Sequence, residues 1–152
     1  MRRERAFTLV EIMIVVAIVA LLAVIALPSF LRARERARQA KFLNALRIAT
    51  GAFEMYAAEH GAYPPDVNRG IVPPGMQTYF GAKLDWTGPT PIGGNWDWDH
   101  DVFGIKAGVT VVVPNETPEQ MAEIDAKIDD GDLTTGAFRD LGSGHYTSII
   151  EE

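Results

Sequence analysis

Between Phe7 and Leu27 the chain carries a single charge, Glu11, in about twenty otherwise almost wholly apolar residues, and Arg2, Arg3 and Arg5 stand directly in front of it. At about 1.5 Å rise per residue, a helix of this length spans the roughly 30 Å hydrocarbon core of a bilayer. An acidic side chain in such a segment costs about 2.5–3.5 kcal/mol on insertion scales, so it calls for a partner and a task. A secretory signal peptide would have a shorter apolar core of about 7–15 residues, a small-residue cleavage site after it and no embedded acid. The segment therefore reads as a retained span whose one carboxylate is functional.

The residues around that carboxylate form a recognisable pattern. Met1 to Ala6 is short and basic, and the apolar run begins Phe7-Thr8-Leu9-Val10-Glu11-Ile12-Met13-Ile14-Val15-Val16. This resembles the prepilin signature of the type IV pilins and type II secretion pseudopilins. The resemblance implies that a membrane peptidase cuts between Ala6 and Phe7 and methylates the new amine of Phe7. It makes Glu11 the fifth mature residue, where the family has its assembly glutamate, and places Pro28 where many pilins have a helix-kinking proline. The family usually has Gly before the scissile bond; this chain has Ala6. Many type IV pilins close a C-terminal loop with a disulfide, and the absence of cysteine here leans toward the pseudopilins.

Removing six residues would create an ammonium on Phe7 at a helix N-terminus that already favours negative charge. Glu11 can meet that amine one turn away in its own helix, or the amine of a neighbouring helix packed with an axial stagger. In a low-dielectric bundle the second pairing sets register, because a misaligned subunit leaves both charges unpaired.

Charge is segregated along the chain. Residues 1–50 hold nine Lys/Arg against three Asp/Glu, and residues 51–152 hold five against seventeen, within a net charge of −6. An acidic C-terminal part repels phosphate backbones, so no nucleic acid is expected there. Arg32, Arg34, Arg36, Arg38, Lys41 and Arg47 read as a solvated, headgroup-facing stretch at the end of the span. Both flanks of the span are basic, so loop charge does not orient it. The resemblance does: leader inside, head outside the bacterial inner membrane.

Past Pro28 the apolar residues Phe42, Leu46, Ala49, Phe53 and Tyr56 recur at steps of four and three, the buried face of an amphipathic helix. Gly61 caps it and Pro64-Pro65 forbid its continuation. Asp66 to Gly94 is rich in Pro and Gly and reads as an irregular loop. Strands are expected at about Asn95–Trp98, at Phe103–Val113 with a bulge at Gly104 or Gly108, and at His145–Ile150. Thr117-Pro118-Glu119-Gln120 opens a helix with a capping box and proline at its first position; Met121, Ile124 and Ile128 give its apolar face and Gly131 ends it. The expected fold is α+β: a long N-terminal helix packed on a small antiparallel sheet. It divides into a leader (1–6), a membrane or filament-core helix (7–27), an amphipathic spine (28–60) and a globular head (61–152).

Asp97, Asp99 and Asp101 alternate with Trp98 and His100, which in a strand puts three carboxylates on one face and Trp96 and Trp98 on the other. The plain reading is a half-buried strand with the acids in water. Calcium is the one cofactor such a set admits. An EF-hand loop would need Gly at its sixth position and Glu at its twelfth, where this chain has Val102 and Gly108, so tight binding there is not expected. Asp129, Asp130 and Asp132 around Gly131 form a second acidic turn, read as a solvated helix end. His60, His100 and His145 lack metal-binding spacing and read as surface or capping residues. No Gly-x-Ser-x-Gly, phosphate-binding glycine loop or cysteine nucleophile is present.

The leading reading is therefore a structural subunit, not an enzyme. It would be processed by prepilin peptidase, held in the bilayer, and assembled by an inner-membrane platform with copies of itself and minor pilins or pseudopilins into a helical filament. The alternative is a membrane-anchored extracytoplasmic metal-binding module or enzyme, which would need Glu11 to be incidental and the head to hold a cleft of convergent polar groups.

Overall fold

A computed structural model describes residues 8–152. Helix α1 runs over Leu9–His60, and the chain divides within it into two units, residues 1–37 and 38–152.

In the first unit the helical residues from Leu9 to Leu31 are exposed throughout, with a mean hydropathy of 3.1 over an 18-residue window of which none is buried. A helix apolar on every side has no core face of its own and requires lipid or other helices around it. By length and composition it suffices to cross a membrane. The helix is continuous through Pro28. Lacking an N–H, that proline cannot donate to the Val24 carbonyl four residues back.

The second unit starts with the spine, where α1 buries Gln39, Phe42, Leu46, Ala49, Ala52 and Phe53, while Tyr56 is half-buried. This is the periodic face expected from the sequence, extended at its start by a polar residue whose side-chain oxygen accepts from Lys127 Nζ. Gly61, with φ +72°, ends the helix by donating its N–H to Ala57 O at 2.8 Å. The proline-rich stretch after it is irregular except for the four-residue helix α2, Gln77–Phe80.

The sheet is antiparallel: β1 Asn95–Val102, β2 Ile105–Val112, β3 Phe138–Asp140 and β4 His145–Glu151, in the order β1-β2-β4-β3. Trp96 and Trp98 point from β1 onto the spine, where Trp98 stacks on Phe53 at 3.7 Å between ring centroids and Trp96 on Phe42 at 5.6 Å. The indole N–H of Trp98 donates to Pro64 O at 3.0 Å and that of Trp86 to Ile71 O at 2.8 Å. Val67 bridges to Trp98 and Gly70 donates to Trp96 O, so the loop after α1 covers the outer edge of β1.

Several boundaries differ from those expected. The first strand runs on to Val102, and Phe103 begins no strand: Phe103 and Gly104, both at positive φ (52° and 80°), form the two-residue turn between β1 and β2. Gly104 is thus a turn residue, and the register shift falls at Ala107/Gly108 in the pairing of β2 with β4. Helix α3, Pro118–Asp125, has the expected capping box at Thr117 and Gln120, but it ends six residues before Gly131. Ile128 still packs on the core from the turn that follows. Strand β3 lies where no strand was expected.

Candidate functional site

The N-terminal site is built from one turn of helix. Thr8 precedes α1, its Oγ accepts from the Glu11 N–H at 3.2 Å, and Glu11 Oε2 accepts from the Thr8 N–H and from the Thr8 hydroxyl, each at 2.8 Å. This is a capping box, in which two otherwise orphaned helix N–H groups are satisfied reciprocally. The Thr-x-x-Glu spacing ahead of an apolar run was its readable signal, and Thr8 was missed as a site residue. The arrangement holds the carboxylate at the positive end of the helix dipole, amid exposed Leu9, Val10, Ile12 and Met13. The expected cleavage and methylation positions, Ala6 and Phe7, lie outside the described residues.

The basic stretch that follows is not uniform. Arg32, Arg34 and Arg36 are exposed. Arg38 is not one of a headgroup-facing set: its guanidinium meets Glu116 Oε1 at 2.7 Å, with the Glu116 side chain only 2% exposed, and its Nε reaches Pro91 O at 3.4 Å. It fastens two head loops to the spine.

The three aspartates of β1 do not converge. Asp97 and Asp99 share the face opposite the tryptophans and line a cleft of about 520 Å³ with Asp66, Val67, Phe103 and His145. Asp101 sits at φ +57° beside the turn, which takes it off that face, and pairs with Lys106 Nζ at 2.8 Å. Nor are the acids all in water. Asp99 is buried and accepts the Thr110 hydroxyl, which lies 2.7 Å from the Thr147 hydroxyl. Burial raises the Asp99 carboxyl, opposed by that hydrogen bond, and burial with the neighbouring Asp99 charge pushes Asp97 up to about 6.

A carboxyl raised in the folded state binds its proton there before the unfolded chain does. Its contribution to stability is therefore greatest at low pH and is lost as pH rises from about 4 to about 6. Asp97→Asn is expected to raise Tm at pH 8 by about 2–5 °C and to leave it nearly unchanged at pH 4. Melts of the full chain in detergent at the two pH values check this; a lower Tm at pH 8 would contradict the assignment.

The histidines are dispersed: His60 stacks on Tyr56 at 4.1 Å, His100 is half-buried beside Trp98, and His145 contacts Gly142 O through Nδ1 at 3.1 Å. The second acidic turn differs from a solvated helix end. Asp125, the last residue of α3 and not singled out from the sequence, is fully buried, and one oxygen from each of Asp125, Asp129 and Asp130 lies within 4.8 Å of the others. Asp132 instead accepts from the Thr134 N–H and hydroxyl. Burial, then hydrogen bonding with Asp129 and the Asp129 charge, raises Asp125 to about 7, while Asp129 is held down by hydrogen bonding with Asp125 and to the Ala137 N–H. The i, i+4 spacing of Asp125 and Asp129 at a helix end was the available signal.

Comparison with known proteins picks out the N-terminal part of the chain, which holds the apolar start of α1. A family model for the prokaryotic N-terminal methylation motif matches residues 1–27. The type II secretion system core protein G of Klebsiella pneumoniae is 38% identical over 64 residues, which is 42% of this chain and 46% of that protein. The type IV wide pilus major component PilA4 of Thermus thermophilus is 40% identical over 63 residues, 41% of this chain and 48% of its own. These matches span less than half the length of either relative. The type II secretion system core protein G of Dickeya chrysanthemi is similar over 95% of this chain and 97% of its own, at 24% identity. No solved structure matches significantly. The chain thus carries the prokaryotic N-terminal methylation motif and is similar to type II secretion core proteins and type IV pilins, and the enzyme or metal-module alternative draws no support from these likenesses.

Proposed function

We propose that this protein is a filament subunit, a pilin or pseudopilin, made as a precursor and cut between Ala6 and Phe7. Phe7 is then N-methylated, the apolar part of α1 anchors the chain in the inner membrane with the head outside, and an assembly platform draws it into a helical filament with copies of itself and minor subunits. The observation that carries this reading is the methylation-motif match over residues 1–27, which runs into a helical stretch, Leu9–Leu31, that is exposed throughout and whose one carboxylate is Glu11. A surface of that kind is satisfied in lipid before assembly and by neighbouring helices after it. Heterologous contacts that do not close generate filaments rather than rings. In this reading Pro28 loosens α1 at one position by removing a backbone hydrogen bond.

Between the two filament types, the full-length likeness to a secretion-system core protein and the absence of cysteine favour the pseudopilin. The eight relatives include both kinds, so the choice rests on those two observations.

Processing tests the reading. Intact-mass and N-terminal analysis of chain expressed in membranes with its prepilin peptidase is expected to show loss of Met1–Ala6 and a methylated Phe7 amine. Ala6→Gly is expected to leave cleavage unchanged or faster, and Ala6→Lys to block it. A mature N-terminus beyond Leu27 would refute the proposal.

A further inference from the structure

The polar residues that directly follow the apolar run of α1 are left without partners by the chain itself. Arg32, Arg34 and Arg36 come straight after exposed Phe30 and Leu31 and are exposed in turn. Among the described residues none of their three guanidiniums has an ion-pair or hydrogen-bond partner, whereas Arg38, two residues on, is held by Glu116. Glu35 is the one acid among them and is half-buried. Three free cations at the end of an apolar stretch call for anions that the chain does not supply.

We propose that Arg32, Arg34 and Arg36 form a collar that binds the headgroups of anionic phospholipids around α1. This rests on the reading of the apolar part of α1 as a membrane span, and adds the class of lipid that it gathers. Depth supports it. At about 1.5 Å per residue, Arg32 stands about 7.5 Å past Leu27 along the helix and Arg36 about 13.5 Å. The polar layer outside the hydrocarbon core is about 5–7 Å thick on each side. Helix side chains lean towards the N-terminus, here back towards the span, and the apolar stems of arginine can lie along the helix while the heads stay among polar groups. All three guanidiniums can therefore reach the phosphates. Direction favours a lipid over a docked protein as the occupant. At about 100° per residue, Arg32 and Arg36 share one face and Arg34 points about 160° away from Arg36. A docked protein covers one face, whereas a leaflet surrounds the helix and meets all three. Each guanidinium offers parallel N–H donors that match the oxygens of a lipid phosphate, and an anionic headgroup brings the net negative charge that a zwitterionic one lacks. Drawing the chain out of the bilayer would have to break these contacts.

The test is the lipid retained by the full chain after reconstitution in phosphatidylcholine vesicles that contain a minor fraction of phosphatidylglycerol, extraction in mild detergent at about 0.1 M salt, and mass spectrometry. Flotation of the vesicles first shows insertion; a chain that does not float with them would overturn the membrane reading and this proposal together. In the inserted wild type the ratio of phosphatidylglycerol to phosphatidylcholine is expected to exceed that of the vesicles about fivefold, and to fall towards it at about 1 M salt. The triple variant Arg32→Gln, Arg34→Gln, Arg36→Gln should retain lipid at the vesicle ratio. Arg47→Gln, Arg69→Gln, Lys83→Gln, an equal loss of exposed positive charge elsewhere in the chain, should keep the enrichment. No enrichment in an inserted wild type, full enrichment in the collar variant, or equal loss in both variants would overturn the proposal while leaving the anchoring of α1 intact. A collar variant that keeps the enrichment but no longer forms filaments would assign the arginines to neighbouring subunits instead.

Discussion

Glu11→Ala is expected to abolish ordered filaments while leaving leader removal, membrane insertion and folding of the head intact. Insertion should become easier, because the one costly side chain in the span is gone. In a filament the same change leaves each Phe7 amine without its counter-charge, and breaking one side of a buried pair typically costs about 3–5 kcal/mol, repeated at every added subunit. The capping box refines the expectation. In the structure Glu11 is held by Thr8, so Glu11→Ala also removes a cap worth about 1 kcal/mol. Thr8→Ala separates the two roles: it removes the hydroxyl partner but keeps the carboxylate, and should fray the first turn while filaments still form. Glu11→Gln, which keeps an acceptor without the charge, should be intermediate. Filament yield after shearing, from subunits shown to be processed and inserted, is the readout; normal filaments from a pure Glu11→Ala population would remove the proposed role.

The second large effect belongs to the head. Trp98 is fully buried, lies flat against Phe53 at 3.7 Å and ties the loop after α1 to the sheet through Pro64 O. Trp98→Ala should cost about 3–5 kcal/mol, through lost burial and the cavity left behind. For a unit of this size that lowers Tm by roughly 15–30 °C, a large part of an ordinary domain's stability. Trp98→Phe should recover more than half of the loss, since it refills most of the volume and gives up the hydrogen bond. Circular dichroism melts of the full chain in detergent decide it; a Trp98→Ala protein that melts within a few degrees of wild type would show that the aromatic stack does not hold the spine to the sheet.

The parts legible in the sequence were those set by local periodicity. The step of three and four from Phe42 to Phe53 gave the spine's buried face, and the alternation around Trp96 and Trp98 gave the strand that packs on it. Thr117 and Gln120 announced α3 by spacing alone. What escaped depends on partners far away in the chain. Strand β3 is three residues long and exists because it pairs with β4, so Phe138–Asp140 has no periodicity to read. The turn at Phe103-Gly104 places a bulky aromatic at positive φ, against ordinary turn preferences, and the same backbone departure carries Asp101 away from Asp97 and Asp99. Arg38 looked like one of a run of arginines until the fold brought Glu116 to it across 78 positions. Asp125 was not singled out from the sequence, and burial of α3 against the core is what sets it apart.

The measurement that tests the filament account most directly is mass spectrometry of filaments sheared from cells that express the chain with its own assembly genes and are confirmed as filaments by electron microscopy. The account predicts that the chain is a principal component of those filaments and that its first residue is N-methylated Phe7. Cells that process and insert the chain yet yield filaments lacking it, or no filaments, would contradict the account.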